Sequence, residues 1–270
     1  MKTILYYFTG TGNSLSTAKL LAKSLPDTEL LPVAGLLSAG KKITVPTGCT
    51  AGFVFPMYCG GMPNIMKRFF EAADLSKADY VFSVINPGSS AQGSPVKHIA
   101  EYCEAAGHTL NGSWWVQMPD NYIPLANPPE KAGQEKMFAA AEEKIAVISD
   151  AVLKKETVLE PWTFLGKLMF AAAYKTFSRK LTVFDKKFRV SPHCCGCQTC
   201  VKVCPVNNIT FEAIPVWHHH CEGCLACLQF CPKGAISCGG KTEERIRYHH
   251  PAANVSDMIA QKQVKEDSKK

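Results

Sequence analysis

Thr3-Ile4-Leu5-Tyr6-Tyr7-Phe8-Thr9-Gly10-Thr11-Gly12-Asn13-Ser14 opens the chain after two residues. The first six form a continuous apolar or β-branched run, the pattern of a strand buried on both faces, and the threonine-glycine repeat breaks it. Beyond Ser14, apolar residues recur at Leu15, Ala18, Leu21, Ala22 and Leu25 with helical period, and Pro26 ends them. The opening unit reads as strand, glycine loop, helix. Glycines permit close backbone approach, hydroxyls donate hydrogen bonds, and a helix N-terminus aims free N–H groups at an anion. Leu15 stands where a dinucleotide fingerprint needs its third glycine, and no Gly-Lys-Ser/Thr follows as in a Walker loop. The loop is a phosphate cradle without positive charge, or a plain tight turn.

The alternation continues. Further strands are expected over 28–33, 51–55, 80–85 and 113–118, with helices over 62–73, 96–106 and 130–155. Five strands alternating with helices imply an α/β, doubly wound five-stranded parallel sheet whose ligand sits beyond the strands' carboxyl ends at the switch point. The stretch 34–50, with Gly35, Gly40, Gly48 and Pro46, leaves little room for a helix and reads as a loop. Two more loops follow strands: Pro56-Met57-Tyr58-Cys59-Gly60-Gly61-Met62-Pro63, where a tyrosine could lie on a flat ligand, and Asn86-Pro87-Gly88-Ser89-Ser90-Ala91-Gln92-Gly93, rich in amides and free of acids. The proline-rich segment 118–129 should cover the same end of the sheet, where Trp115 or Tyr122 could touch a flat ligand, although aromatics at the end of a buried strand are more often core.

Eight of the 13 cysteines form two copies of C-x2-C-x2-C-x3-C-P: Cys194, Cys197, Cys200, Cys204-Pro205, and Cys221, Cys224, Cys227, Cys231-Pro232. This is the spacing of bacterial-type two-cluster ferredoxins, in which the fourth cysteine reaches the other cluster. Cys194, Cys197, Cys200 and Cys231 are therefore assigned to one [4Fe–4S] cluster, and Cys221, Cys224, Cys227 and Cys204 to the second. Structural zinc would use two knuckles separated by a longer spacer, and a disulfide framework belongs to small secreted chains. The repeat extends into C-P-V-N-N-I-T-F against C-P-K-G-A-I-S-C, with a hairpin expected over 208–217. Cys195 and Cys238 exceed the ligand count and read as packing residues, Cys49, Cys59 and Cys103 as core or loop residues. His218, His219 and His220 read as surface or supporting residues.

The formal charge of +7 is about −1 over 1–150, +6 over 151–190 and +2 over 191–270. The 161–189 segment mixes seven basic residues with Trp162, Phe164, Leu168, Phe170, Phe177, Phe184 and Phe188. It reads as an interdomain helical arm rather than a membrane-surface helix, with a basic face suited to an acidic redox partner. Two cubanes at roughly −2 each and a flavin phosphate at about −2 would nearly neutralise the chain, which argues against nucleic acid as a partner. The apolar run at the N-terminus is too short for a secretory leader, and no stretch approaches the roughly 18 apolar residues of a membrane span. A cytoplasmic, soluble protein is expected.

T-G-T-G-N-S after the first strand resembles the FMN phosphate loop of flavodoxins, and the chain up to about Gly239 resembles flavodoxin–ferredoxin fusion proteins of anaerobes. The resemblance implies a flavodoxin-like FMN domain over 1–155, a basic connector over 156–190, a small α+β two-cluster ferredoxin domain over 191–240 and a tail over 241–270. It also implies that Thr9, Gly10, Thr11, Gly12, Asn13 and Ser14 hold the phosphate. Pro56, Met57, Tyr58, Gly60 and Gly61 would flank the isoalloxazine, and Asn86, Gly88, Gln92 and Gly93 would line its pyrimidine side. With no acid in the second and third loops, negative charge on reduced flavin should be penalised less than in an acidic flavodoxin.

FMN with two [4Fe–4S] clusters would couple one- and two-electron carriers. The expected partners are a ferredoxin or a ferredoxin-dependent oxidoreductase. A second reading is an FMN-dependent reductase of a small organic acceptor fed through the clusters, and a third is a non-redox interaction protein. No separate nicotinamide fingerprint is present.

Overall fold

The computed structural model describes residues 2–40, 42–89, 95–160 and 174–263. The expectations at Gln92, Gly93 and over 161–173 lie outside them.

The first part runs β1 (Thr3–Tyr7), α1 (Asn13–Ser24), β2 (Thr28–Pro32), α2 (Val33–Ser38), β3 (Ile43–Thr44), β4 (Thr50–Pro56), α3 (Asn64–Ala72), β5 (Ala73–Asp74), β6 (Tyr80–Asn86), α4 (Val96–Ala105), β7 (Gly112–Trp115), α5 (Lys131–Leu153) and β8 (Val158–Leu159). The central sheet is parallel, in the order β2-β1-β4-β6-β7-β8. Its first five strands have the flavodoxin-like order, which reverses between β1 and β4 and opens the ligand crevice there. Strand β1 shows why the run had to be unbroken. Ile4, Tyr6 and Phe8 enter one buried face, Leu5 and Tyr7 the other. On the first face Phe53 stacks with Tyr6 at 5.8 Å and meets Phe70 edge-on at 4.7 Å. On the second, Leu5, Val54, Phe82 and Trp114 pack beneath α1 and α5.

Two expectations are corrected. The sheet has six strands, not five: the Val158 N–H donates to Asn111 O at 3.1 Å and the Glu160 N–H to Ser113 O at 2.9 Å, carrying the sheet past residue 155. A two-residue edge strand is too short to leave a periodic signal. The 34–50 stretch also begins inside a helix, α2, rather than a loop. Gly35 in that helix lies so near the backbone of Gln263 that a Cβ would come within 3.0 Å of it, and its N–H donates to Gln261 O. The segment 261–263 is thus docked on α2.

The later part contains a helix described over 174–180 (α6), a 3-10 turn at Leu181–Lys187, β9 (Arg189–Val190), α7 (Thr199–Val203), β10 (Ile209–Phe211), β11 (Pro215–Trp217), α8 (Ala226–Gln229), β12 (Ile236–Ser237) and α9 (Val255–Ala260). The β10–β11 hairpin falls within the expected 208–217, and β12 pairs antiparallel with β9. The two cysteine loops match residue for residue: Gly196 and Gly223 have φ of 70° and 63°, Gln198 and Leu225 φ of 57° and 60°. A non-glycine residue in the left-handed region is strained, so its recurrence at equivalent positions marks a conformation that both loops are built to hold.

This part packs directly on the sheet's helices. The Glu222 carboxylate, buried between Cys221 and Gly223, accepts the Ile65 N–H at 2.9 Å at the start of α3 and pairs with Arg68 at 2.8 Å. A carboxylate suits a helix N-terminus. In α6, Tyr174 donates its hydroxyl to Met62 O at 2.6 Å, and Ser178 O accepts Asn64 Nδ2 at 2.8 Å. Leu181, Phe184 and Phe188 are buried. The described share of the connector is therefore a packed arm. Among the described residues no helix is long and apolar enough to cross a membrane.

Replacing Glu222 with alanine leaves the Ile65 N–H without its partner and a half-exposed Arg68 uncompensated. Because Arg68 can still reach water, the expected loss is about 2–3 kcal/mol, below that of a fully buried pair, read as a lower urea midpoint at unchanged slope.

Candidate functional site

A cavity of about 380 Å³ lies at the carboxyl ends of the strands, within the usual range for ligand pockets. The three glycine-bearing loops meet there. Thr9, Gly10, Thr11, Asn13, Ser14, Pro56, Met57, Tyr58, Gly60, Asn86 and Gly88 all line it. Gly12 and Gly61 do not. At φ +98° Gly12 turns towards the tail, where a Cβ would come within 2.3 Å of Ala253, and a Cβ on Gly61 would strike the Tyr174 ring. Both glycines serve close packing behind the cavity wall.

Polar groups at the wall have spare capacity. The Thr9 hydroxyl accepts the Gly12 N–H at 2.9 Å, which folds the first loop. Among the described residues Ser14 Oγ, in the first turn of α1, is buried with no hydrogen-bond partner, and Asn86 Oδ1 is likewise buried and unpartnered, while Asn86 Nδ2 donates to Thr17 Oγ1 and Val116 O at 3.0 Å. A buried orphan acceptor or hydroxyl costs free energy unless something else satisfies it. Tyr58 and Gly61 exchange backbone hydrogen bonds of 2.9 and 3.0 Å around Cys59 and Gly60, whose φ values of 48° and 79° make a type I′ turn. Burial, reinforced by the nearby Cys224 and Glu222, holds the Tyr58 hydroxyl well above its ordinary pKa. It stays neutral and can donate.

The proline-rich segment covers this end of the sheet as expected, through residues that the sequence reading did not single out. Asp120, Asn121, Tyr122 and Leu125 line the cavity, so Tyr122 is a wall residue rather than a core aromatic, and one exposed acid, Asp120, stands beside loops that carry none. Phe177 of α6 and Gly223, Cys224 and Leu225 of the second cysteine loop complete it. Gly10 is what allows that approach: a Cβ there would sit 2.5 Å from the Cys224 carbonyl oxygen.

A chain of hydrogen bonds fixes these segments. Asn121 donates its side-chain amide to Thr11 Oγ1, Gln229 of α8 donates to Asn121 O at 2.8 Å, and Tyr248 donates its N–H to Gln229 Oε1 at 2.8 Å. The Tyr248 hydroxyl then returns to Asn13 Oδ1 at 2.7 Å, and the His250 N–H to Thr11 O at 2.8 Å. The tail that carries Tyr248 and His250 is held by α9, whose N-terminus is closed by a reciprocal capping box between Asn254 and Asp257. That Asn-x-x-Asp spacing is a signal for a folded tail that the sequence reading did not use.

The cysteines wall two further cavities. Cys204, Cys221, Cys224 and Cys227 line one, and Cys194, Cys195, Cys197, Cys200 and Cys231 the other. Backbone N–H groups point at sulfur at equivalent places, Asn208 to Cys204 and Ala235 to Cys231, each at 3.3 Å. Burial pushes the Cys221 thiol up to about 12 and Cys200 to about 11, whereas hydrogen bonds from Thr199 lower Cys197. The second set is the inner one. Cys224 and Leu225 belong to its wall and to that of the strand-end cavity, while Cys195 and Cys197 of the first loop are exposed. Cys195 is thus no packing residue; Cys238, Cys49 and Cys103 are buried as expected. Among the described residues no group of three or more His, Cys, Asp or Glu side chains is placed to hold a single metal ion. His219 is committed to the buried Asp185 at 2.8 Å, and His218 and His220 to Thr210 Oγ1 and Val206 O.

The sequence matches no family model and no curated protein. Among solved structures it is similar to the "putative flavoprotein" of Bacteroides uniformis (20% identity, 43% of this chain and 90% of that one, TM-score 0.32). It is similar also to rubredoxin oxygen:oxidoreductase from Desulfovibrio gigas (18% identity, 56% of this chain and 37% of that one, TM-score 0.33) and to the Trp repressor binding protein of Bacillus subtilis (11% identity, 53% and 98%, TM-score 0.33). Likenesses at this level add nothing to the sheet order, on which the flavodoxin-like fold rests.

Two outcomes are expected of this site. Gly10→Ala forces the first loop away from Cys224 and should cost about 1–3 kcal/mol, seen as a lower unfolding midpoint. The His250 ring packs on Phe138 and its Nδ1 accepts the Ala252 N–H, so burial and the neighbouring His249 and Lys19 lower its pKa to about 4. The unfolded chain binds that proton near pH 6.5, so stability is complete above about pH 6.5 and falls by about 2–3 kcal/mol as the pH drops towards 4. His250→Gln should flatten that slope in pH-dependent urea denaturation.

Proposed function

We propose that the chain is an electron-transfer iron–sulfur flavoprotein, with FMN in the strand-end cavity and a [4Fe–4S] cluster in each four-cysteine cavity, exchanging electrons with a ferredoxin or a ferredoxin-dependent oxidoreductase. One observation carries this reading: Cys224 and Leu225 wall both the inner cysteine cavity and the strand-end cavity.

The residues fit the groups. For a phosphate there are the first-loop hydroxyls, the unpartnered Ser14 Oγ and the α1 N-terminus, an uncharged anion cradle. For a flat ring system there are Tyr58, Met57 and the type I′ turn, with Asn86 Oδ1 free to accept an N–H at its edge. For the clusters there are the four motif thiols around each of two cavities, the outer of which Cys195 also lines, with N–H groups directed at sulfur to offset negative charge. When bound, the clusters supply one-electron chemistry and the flavin one- or two-electron chemistry. The chain's own share is to hold Gly10 against Cys224, to keep Tyr58 neutral, and to shield the cavity with Leu125 and Phe177.

A second reading, reduction of a small organic acceptor, is favoured by a groove that shares Cys59, Tyr122 and Phe177 with the cavity and opens to solvent.

Protein purified without air is expected to be brown with a yellow tinge, to carry about eight irons and one FMN per chain, and to lose about half its iron in Cys224→Ala. Colourless protein, or zinc in place of iron, overturns the reading. Ser14→Ala should weaken FMN binding about 10-fold by fluorescence titration of the flavin-free protein.

A further inference from the structure

The groove outside the strand-end cavity has a composition of its own. It measures about 570 Å³ and is built mainly from α6 and the 3-10 turn that follows. Tyr122, Phe177 and Phe184 form an aromatic floor, with the Tyr122 and Phe184 rings 6.4 Å apart. Lys180 and Lys187 stand on it, both exposed, and Lys187 Nζ lies 5.4 Å from the centre of the Phe184 ring. Among the described residues the lining carries these two positive charges and no acid, and neither lysine makes an ion pair. The one neighbouring carboxylate on the same turn, Asp185, is buried and bonded to His219 and Asn208.

We infer that this groove binds a planar, unsaturated carboxylate, its anionic end between Lys180 and Lys187 and its apolar body on the aromatic floor, pointing inward past Cys59. Two cations in an acid-free setting select an anion, and aromatic side chains select a flat apolar body over a hydrated ion such as phosphate. The concave shape and continuity with the cavity favour a small molecule over a docked protein surface. As an account of what an acceptor would look like, it rests on the reductase reading above; the binding itself does not.

The test uses the full chain, purified without air, titrated calorimetrically with trans-cinnamate and with its neutral amide, cinnamamide. Cinnamate should bind at least about 10-fold tighter than the amide at low salt, and 0.5 M KCl should remove most of that advantage. The surface double variant Lys180→Gln/Lys187→Gln, with its far-ultraviolet circular dichroism unchanged, should bring acid and amide to the same affinity. Equal affinities in the parent protein, an acid preference that survives the double variant, or no binding of either compound would overturn the inference. FMN and iron are assayed on the same preparation. Lysine-dependent cinnamate binding in a flavin-free sample leaves the groove assignment standing and removes the reductase reading, whereas flavin-loaded protein that ignores cinnamate does the reverse.

Discussion

The ring of hydrogen bonds through Thr11, Asn121, Gln229, Tyr248 and Asn13 is the constraint on which the molecule turns. Its members come from the first loop of the sheet, the proline-rich cover, the second cysteine loop's helix and the tail. Each of these is weak alone: α8 has four residues, α9 six, and the cover no regular structure. Short helices do not persist in water by propensity. Their order comes from mutual satisfaction of buried polar groups, so the strand-end cavity acquires its fourth side only when the distant part of the chain is folded against it.

Charge is distributed to suit that seam. Glu222 anchors the inner cysteine loop on α3, where the helix N-terminus and Arg68 both favour a carboxylate. Lys19 meets Asp257 at 2.8 Å to fix α9 on α1. On the outer arm Lys180 and Lys187 are exposed and, among the described residues, make no ion pair.

Much of this was legible in the sequence, and the divisions are physical. Strands β1, β4 and β6 are buried on both faces and so read as unbroken apolar runs; β8 has two residues and depends on β7 for its existence. The two cysteine loops were legible as a repeat because their spacing is local and present before any packing is known. The loops around the cavity were legible as glycine-rich strand ends, yet their individual roles were not: Gly12 and Gly61 look like ligand contacts in the sequence and are packing contacts in space. Asn121, Gly223 and Tyr248 reach the site only through tertiary contacts, for which local spacing holds no signal.

The matched left-handed turns at Gly196/Gln198 and Gly223/Leu225 show one module present twice with opposite fates. Gln198 faces solvent, whereas Leu225 is buried at the seam. The inward copy is locked by its neighbours, so substitutions there disturb the whole molecule. The outward copy is free to vary its surface without moving the shared wall at Cys224, and descendants of this chain can therefore change the company they keep while their interior stays as it is.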